Sequence, residues 1–391
     1  MNTKLFSFLS CAFLFFSFSV VTTEGENDSR NLHSRDTKAE LPKAFHDTYH
    51  WLEHSQLSNG LLESTENGNF VSLYDNALAA LLFIEQGDFK RAEKIFDFFN
   101  ARIDTELLQG PGGFFQFRDR NGNNGSRTWM GDNAWLLIAL NHYHKASDTT
   151  KYKRLSLGLE QWIRSLQDKD GGLWGGQRAD GSRIHKVTEG IITAFNAVGG
   201  YDSFHKGILS YLKNNRWNTK DRLLVAWPNN KAYYYALDLH ALGYGIFENF
   251  PEHVLHNTNR YLNTQSTTMT GEEITGYGFD EDKDVVWFEG TAQMAIAFHD
   301  AGYQEKSGFI TKNLDMALLK TKGQQKTSGL PYASNPGSTY GKSALWKHAD
   351  TTPAISSTVW YLFTKMQFNP LALGKQKNIP KTDQFWISGA F

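Results

Sequence analysis

Six times along the chain an acidic residue opens an apolar, helix-like run: Tyr74-Asp75-Asn76-Ala77, Gly131-Asp132-Asn133-Ala134, Thr188-Glu189-Gly190, Ala236-Leu237-Asp238, Phe288-Glu289-Gly290 and Ala349-Asp350-Thr351. Successive acids lie 57, 57, 49, 51 and 61 residues apart, the length of two helices and two loops. A structural repeat of that period, stacked side by side, gathers its acids around one axis. A carboxyl at the mouth of an enclosed helix is partly desolvated, which raises its pKa toward neutrality and suits it to proton transfer. Asp132, between Trp129 and Trp135, is the preferred acid, and Glu289, flanked by Trp287 and Phe288, is its equal candidate. Asp75 and Glu189 are the candidates for a base or for positioning water. Any of them could instead cap free N–H groups in a first helical turn, worth about 0.3–2 kcal/mol. Asp238, six residues inside its expected helix, reads as a buried structural partner, and Asp350, ahead of Pro353, reads as a cap.

The aromatic residues supply the second half of a site. Trp174, in the loop Gly171 to Gly176, has little core to fill and is a candidate platform for a sugar ring. Trp129, Trp227, Trp287 and Tyr332 are further candidates for substrate contact, whereas Trp51, Trp162 and Trp360 sit at helical spacing and read as core. His348 and Lys347 could hold a hydroxyl or a carboxylate; His240, inside its helix, reads as an interior histidine. Asp280-Glu281-Asp282-Lys283-Asp284 alternates acids as a calcium loop does, but Lys283 and the missing glycine break that pattern. It reads as a solvated charge run, and Asp119 to Gly125 has the same weakness. There is no His-Glu-x-x-His, phosphate loop or dinucleotide fingerprint, so the expectation is a site with no metal and no cofactor.

Two kinds of helix must position these groups. Asp88 to Leu108 carries Phe89, Ala92, Ile95, Phe96 and Phe99 on one stripe with Lys90, Arg91, Lys94 and Arg102 off it, whereas Ser72 to Ile84 is apolar nearly all round. The first pattern has one wet face and the second is enclosed by other helices. Outer candidates are 43–56, 88–107, 149–167, 201–214, 251–263 and 304–320; inner candidates are 73–86, 132–146, 187–199, 232–247, 288–302 and 352–366. The expectation is an all-α chain, an (α/α)6 barrel of six helical hairpins with an inner and an outer ring. Connections from outer to inner helix are long, among them Asn59 to Leu62, Gly112 to Phe115, Gly171 to Gly176, Tyr277 to Asp280 and Gly329 to Tyr332. Long loops on one end of a rigid barrel are where binding and chemistry concentrate.

The rest of the chain bounds its setting. Lys4 followed by the apolar run Leu5 to Val21 and small residues near Thr23 and Gly25 reads as a secretory signal over 1–25, with export to the periplasm or outside the cell. Residues 26–42 read as a disordered leader, 43–370 as the toroid, and 371–391 as a C-terminal tail of unassigned role. The one cysteine, Cys11, falls within the signal, so the mature chain would carry neither disulfides nor thiol chemistry. With 40 Lys and Arg against 41 Asp and Glu and no basic run, nucleic acid is not an expected partner, and no membrane span is expected after signal cleavage. A carbohydrate is the expected substrate, and the loop-face acids and aromatics are the reason.

Gly131-Asp132-Asn133-Ala134-Trp135, followed by Asp170-Gly171-Gly172-Leu173-Trp174, resembles bacterial endo-mannanases of the six-hairpin glycosidase-like superfamily. Those enzymes carry an Asp-Asp pair where this chain has Asp132-Asn133. Asp75 and Asp132 on successive hairpins are also similar to unsaturated glucuronyl hydrolases. The resemblance covers Leu41 to Pro370 and implies a glycoside hydrolase using paired carboxylates. Three other readings share the toroid: a sugar epimerase or polysaccharide lyase working through His348 and Tyr235, a terpene-cyclase relative suggested by Trp162-Ile163, Gln167 and Gly172-Leu173-Trp174, and a non-catalytic glycan-binding or assembly protein.

Overall fold

The computed structural model describes residues 41–387 except 124, 126, 322–326 and 347. The expected signal, Cys11, the leader up to residue 40 and Lys347 therefore lie outside the described residues. Among the described residues twelve α-helices alternate between two rings. The inner ring is α2 (Leu73–Glu85), α4 (Met130–Ser147), α6 (Thr188–Ala197), α8 (Asp238–Ile246), α10 (Phe288–Asp300) and α12 (Ile355–Met366). Each packs on the next, and α12 packs on α2 to close the ring. The outer ring is α1 (Lys43–Ser55), α3 (Phe89–Asn100), α5 (Lys153–Ser165), α7 (Ser203–Asn215), α9 (His253–His256) and α11 (Gln304–Met316). The fold is the (α/α)6 toroid. Among the described residues no helix is long and apolar enough to cross a membrane.

Burial follows the two helix types. In α2 every residue from Leu73 to Ile84 except Tyr74 is buried, whereas α3 buries Ala92, Ile95, Phe96, Phe98 and Phe99 and leaves Lys90 and Lys94 in water. A helix enclosed on all sides cannot tolerate polar residues except where they have partners, so its few polar positions carry information.

One such position recurs. The Asn76 side chain accepts from Leu62 N–H at 2.9 Å and donates to Leu62 C=O at 3.0 Å. Asn133 does the same for Phe114 at 2.8 and 3.0 Å. On α10 the Thr291 hydroxyl accepts from Tyr277 N–H and donates back to its carbonyl, and on α12 Thr358 does so for Leu330. All four partners lie in the long outer-to-inner connections. Each of these four inner helices thus fastens its own incoming loop through both backbone groups of one residue, satisfying atoms that would otherwise be buried and unpaired. Gln56 and Gln167, at the ends of α1 and α5, hold the start of two long connections by donating to Gly60 and Gly171 carbonyls. Gly171 has φ 86°, and a Cβ there would overlap the Gly207 carbonyl of α7. This is the local role of the Gln167 and Gly172-Leu173-Trp174 stretch.

Two expected helices differ. Residues 251–263 form only the four-residue α9 and a 3-10 turn, after which Leu262–Ser266 pairs antiparallel with Glu273–Tyr277. Thr264 and Thr275 hydrogen-bond across that pair at 2.8 Å, a side-chain contact a helix would not make. The inner helix expected over 232–247 begins only at Asp238. The tyrosines before it are drawn outward: Tyr235 donates to Asp221, and Asn218 donates to the hydroxyls of Tyr234 and Tyr235. The C-terminal segment packs back on the barrel, with Trp386 fully buried 4.9 Å from Phe247 and Phe385 against Trp217.

Asn133→Ala should leave the buried Phe114 N–H and C=O without partners and cost about 2–4 kcal/mol. Thr358→Ser, which keeps the hydroxyl, should cost less than Thr358→Val. Urea denaturation midpoints at constant slope check both, and equal loss for the two Thr358 variants would overturn the clamp.

Candidate active site

At the loop end of the inner ring lies a cavity of about 470 Å³ lined by Asp75, Asp132, Glu189, Asp238 and Glu289. Each is in the first turn of its inner helix, on α2, α4, α6, α8 and α10 in order. All four sequence candidates are brought together, and Asp238 joins them. Its assignment as a buried structural partner is corrected because the late start of α8 puts it at the helix mouth. Asp350 does not line the cavity; it is buried five residues ahead of α12, with both carboxyl oxygens unpartnered, so it does not cap that helix.

The acids are held differently. Glu289 Oε1 accepts from Tyr74 Oη at 2.6 Å and from Gln293 Nε2 at 3.3 Å, and Tyr74 in turn accepts from Trp360 Nε1 at 2.8 Å. The Ser356 hydroxyl faces the same carboxyl and favours its charged form. Glu189 accepts from Thr193 at 3.0 Å, with Trp135 also facing it. Asp132 faces Gln116, whose Oε1 accepts from Arg127 Nε at 2.6 Å, and Asp132 Oδ2 is buried with no partner. Gly131 lets this crowding occur: a Cβ there would stand 3.2 Å from Glu189 Oε2.

Burial dominates the electrostatics. It pushes Asp75, Asp238 and Glu289 each up to about 7. Asp132 is raised well above its ordinary value, first by burial and then by Glu189 and Asp75, and Glu189 is raised by burial. Carboxyls that share one desolvated space cannot all ionise, so near neutral pH some carry protons while others are charged. That is the condition for acid and base to coexist in one site.

The walls are aromatic. Tyr332 stacks on Trp346 at 5.6 Å and 6°, Trp346 lies 5.7 Å from Trp287, and Phe279 and Tyr340 continue the surface. Phe70 and Phe117, 4.7 Å apart, line another part of the cavity. Trp287 and Tyr332 are where the sequence candidates require them. Trp346 and Tyr340 come from a hairpin of Ser338–Tyr340 and Ser343–Trp346. The acidic run pins it: Gly341 N–H donates to Asp280, Thr339 N–H to Asp284, and the Thr339 hydroxyl to Asp282. The solvated-run reading is corrected accordingly, since these carboxylates satisfy hairpin donors.

The other substrate-contact candidates do not line the cavity. Trp174 is half-buried between Lys186 and Arg183, 5.0 and 5.3 Å from its ring, because the 171–176 loop folds onto the α6 approach. Trp129 lies under Arg127 at 4.8 Å. His348 is exposed in a turn at φ 54° and is not part of the cavity lining. Trp227, 41% exposed, stands outside the cavity at the far end of the aromatic run, 6.3 Å from Tyr233, which packs on Tyr340 at 4.9 Å. Sequence reading missed Tyr74, Gln293 and Gln116. Gln293 was detectable four residues after Glu289 on the same helical face; Gln116 was not, since it enters from a loop.

The chain is similar in structure to a protein described as a novel alpha-amylase from Clostridium perfringens, at TM-score 0.59 and 12% identity over 84% of this chain and 100% of that one. A glycosidase variant in complex with glucose matches at TM-score 0.57 and 13% identity, covering 84% of this chain and 96% of that one. A sugar epimerase from a ruminal bacterium matches at 0.55 and 10%, covering 83% and 97%. The toroid is shared with all three. No family model and no curated protein sequence matches the chain.

The raised acids set a pH dependence. Between about pH 4 and 7 the folded chain retains protons that the unfolded chain releases, so their stabilising share is complete at acid pH and is lost as pH rises through 7. Asp75→Asn removes that loss. It should stabilise the protein at pH 8 by at most about 4 kcal/mol and change little at pH 4, as read by thermal denaturation. Equal shifts at the two pH values would contradict burial as the cause.

Proposed function

We propose that the chain is an exported carbohydrate-active enzyme that hydrolyses glycosidic bonds of an oligo- or polysaccharide in this cavity. The observation that carries the reading is the convergence of buried carboxyls with raised pKa values on an aromatic-walled space. Glycoside cleavage needs one protonated carboxyl and one ionised carboxyl on either side of the bond. Asp132 is assigned as the general acid: it has the strongest reason to hold a proton, and its unpartnered Oδ2 is free to deliver it to the leaving oxygen. Glu289 is assigned as the base or nucleophile, because the donors Tyr74 and Gln293 on its Oε1 and the nearby Ser356 hydroxyl favour its ionised form. Asp75 and Glu189 position water and limit how many charges the site holds.

The aromatic walls suit the C–H faces of sugar rings, and the unpartnered Trp287 Nε1 and Gln293 Oε1 are buried polar atoms at the cavity that a hydroxyl could satisfy. Solved structures of the same fold are described as glycosidases and a sugar epimerase, which supports a carbohydrate substrate. An epimerase or lyase through His348 and Tyr235 has less support, since His348 is exposed and the Tyr235 hydroxyl is bound to Asp221. No histidine is among the described residues lining the cavity. Asn133, standing where the mannanases have a second Asp, is engaged with Phe114 outside the cavity, so its identity does not argue against catalysis.

Purified protein incubated with a glycan panel tests the assignment. Asp132→Asn and Glu289→Gln should each lower kcat by about 10²–10⁴-fold with folding retained. Hydrolysis unaffected by either change would sink the residue roles, and binding without turnover by the wild type would favour a glycan-binding protein instead.

A further inference from the structure

Beside the cavity, the strands Arg127–Trp129, Gly176–Arg178 and Arg183–Ile184 form a small antiparallel sheet in which Arg127 pairs directly with Arg178. Like charges directly opposite on neighbouring strands repel. Arg127 donates to Gln116, and Arg178 donates to Ser182 Oγ and the Arg183 carbonyl; among the described residues no salt bridge joins either guanidinium to a carboxylate, and the acids that act on them from farther off are Asp132 on Arg127 and Asp180 on Arg178. Arg216 lies close enough to act with them on His185 and likewise bonds only carbonyls, with its Nε buried and unpartnered. The exposed His185 ring stacks 4.3 Å from the exposed Trp227, whose preceding residue Ala226 lines the cavity. Repelling guanidiniums, an open aromatic face and a connection to the site thus meet on one rim.

We infer that this rim is a subsite for an anionic glycan, with Arg127 and Arg178 binding a carboxylate or sulfate ester and Trp227 with His185 carrying the adjoining sugar ring. The inference rests on the carbohydrate reading above and names its substrate class. Paired guanidiniums present several N–H donors to one oxyanion, which a lone lysine cannot do. The subsite also reaches the chemistry. Arg127 holds Gln116, and Gln116 faces Asp132, so an anion on Arg127 sets the position of the amide that faces the proposed acid. From Trp227 the aromatic run through Tyr233, Tyr340 and Phe279 leads to Trp287, a path along which successive rings of one chain can lie.

The test uses Asp132→Asn protein, so that binding is read without turnover, and three probes by calorimetry: trigalacturonate, its carboxyl-reduced neutral counterpart, and a sulfated trisaccharide. The neutral probe should bind at least about tenfold more weakly than one of the charged probes at low salt, and added Arg178→Gln should abolish that difference while leaving neutral binding unchanged. Trp227→Ala should weaken charged and neutral probes alike. Preference for carboxylate or for sulfate identifies the group; no preference for either, or a preference that survives Arg178→Gln, overturns the subsite. Without ligand, Arg178→Gln should be at least as stable as its parent, since it relieves the repulsion. Charge-dependent binding in a protein that hydrolyses no glycan would leave the subsite standing and remove the hydrolase reading; neutral-glycan hydrolysis without charge preference would do the reverse.

Discussion

Two hydrogen bonds between an inner-helix side chain and both backbone groups of one loop residue hold the loop end of the inner ring together. Asn76, Asn133, Thr291 and Thr358 each make that clamp. The long connections pass over the top of the ring, where their backbone N–H and C=O groups are buried away from water. Leaving a pair unsatisfied costs more than the bonds themselves contribute, so the clamps act chiefly by forbidding other loop positions. Asp75 and Asp132 precede the clamp residues Asn76 and Asn133 by one position. One first turn therefore presents a carboxyl to the cavity with one residue and anchors the loop wall with the next.

The same arrangement concentrates carboxyls that water would otherwise keep apart. Each acid is destabilised in its charged form by burial, and Asp132, Asp238 and Glu289 are further raised by their neighbours across the ring. Protonation is the way the fold tolerates them. A barrel of six hairpins distributes this strain over separate helices, so no single element has to carry adjacent like charges. The outer rim carries the opposite problem, with Arg127 and Arg178 paired face to face. Cationic rim and acidic cavity are joined through Gln116, whose amide can serve both.

The ring itself was legible because enclosed and one-faced helices differ in composition, and apolar runs such as those of α2 and α10 need other helices around them. The four acids Asp75, Asp132, Glu189 and Glu289 were legible for the same reason: a charged residue at the start of an otherwise apolar run requires either a cap or a site. Asp238 was misread because three tyrosines before it imitate helix, while the hydroxyls of Tyr234 and Tyr235 are engaged at Asn218 and Asp221 and that of Tyr233 at Ser343. Trp174 and Trp129 were attractive as loop aromatics, yet the cations beside them occupy their faces. A ring's neighbours are set by loop paths that no local pattern encodes.

Sequence alone determined the toroid, the ring order and the identity of most cavity acids, because these depend on periodicity and on the cost of burying charge, both local properties of the chain. Tertiary structure decided which aromatics form the wall, that the 280–284 acids fasten the 338–346 hairpin, and that Asn133 is a clamp. It also decided that Glu289 has two donors while Asp132 Oδ2 has none among the described residues. Those facts depend on residues far apart in sequence meeting in one desolvated space, where burial raises every carboxyl and hydrogen bonds adjust each one differently.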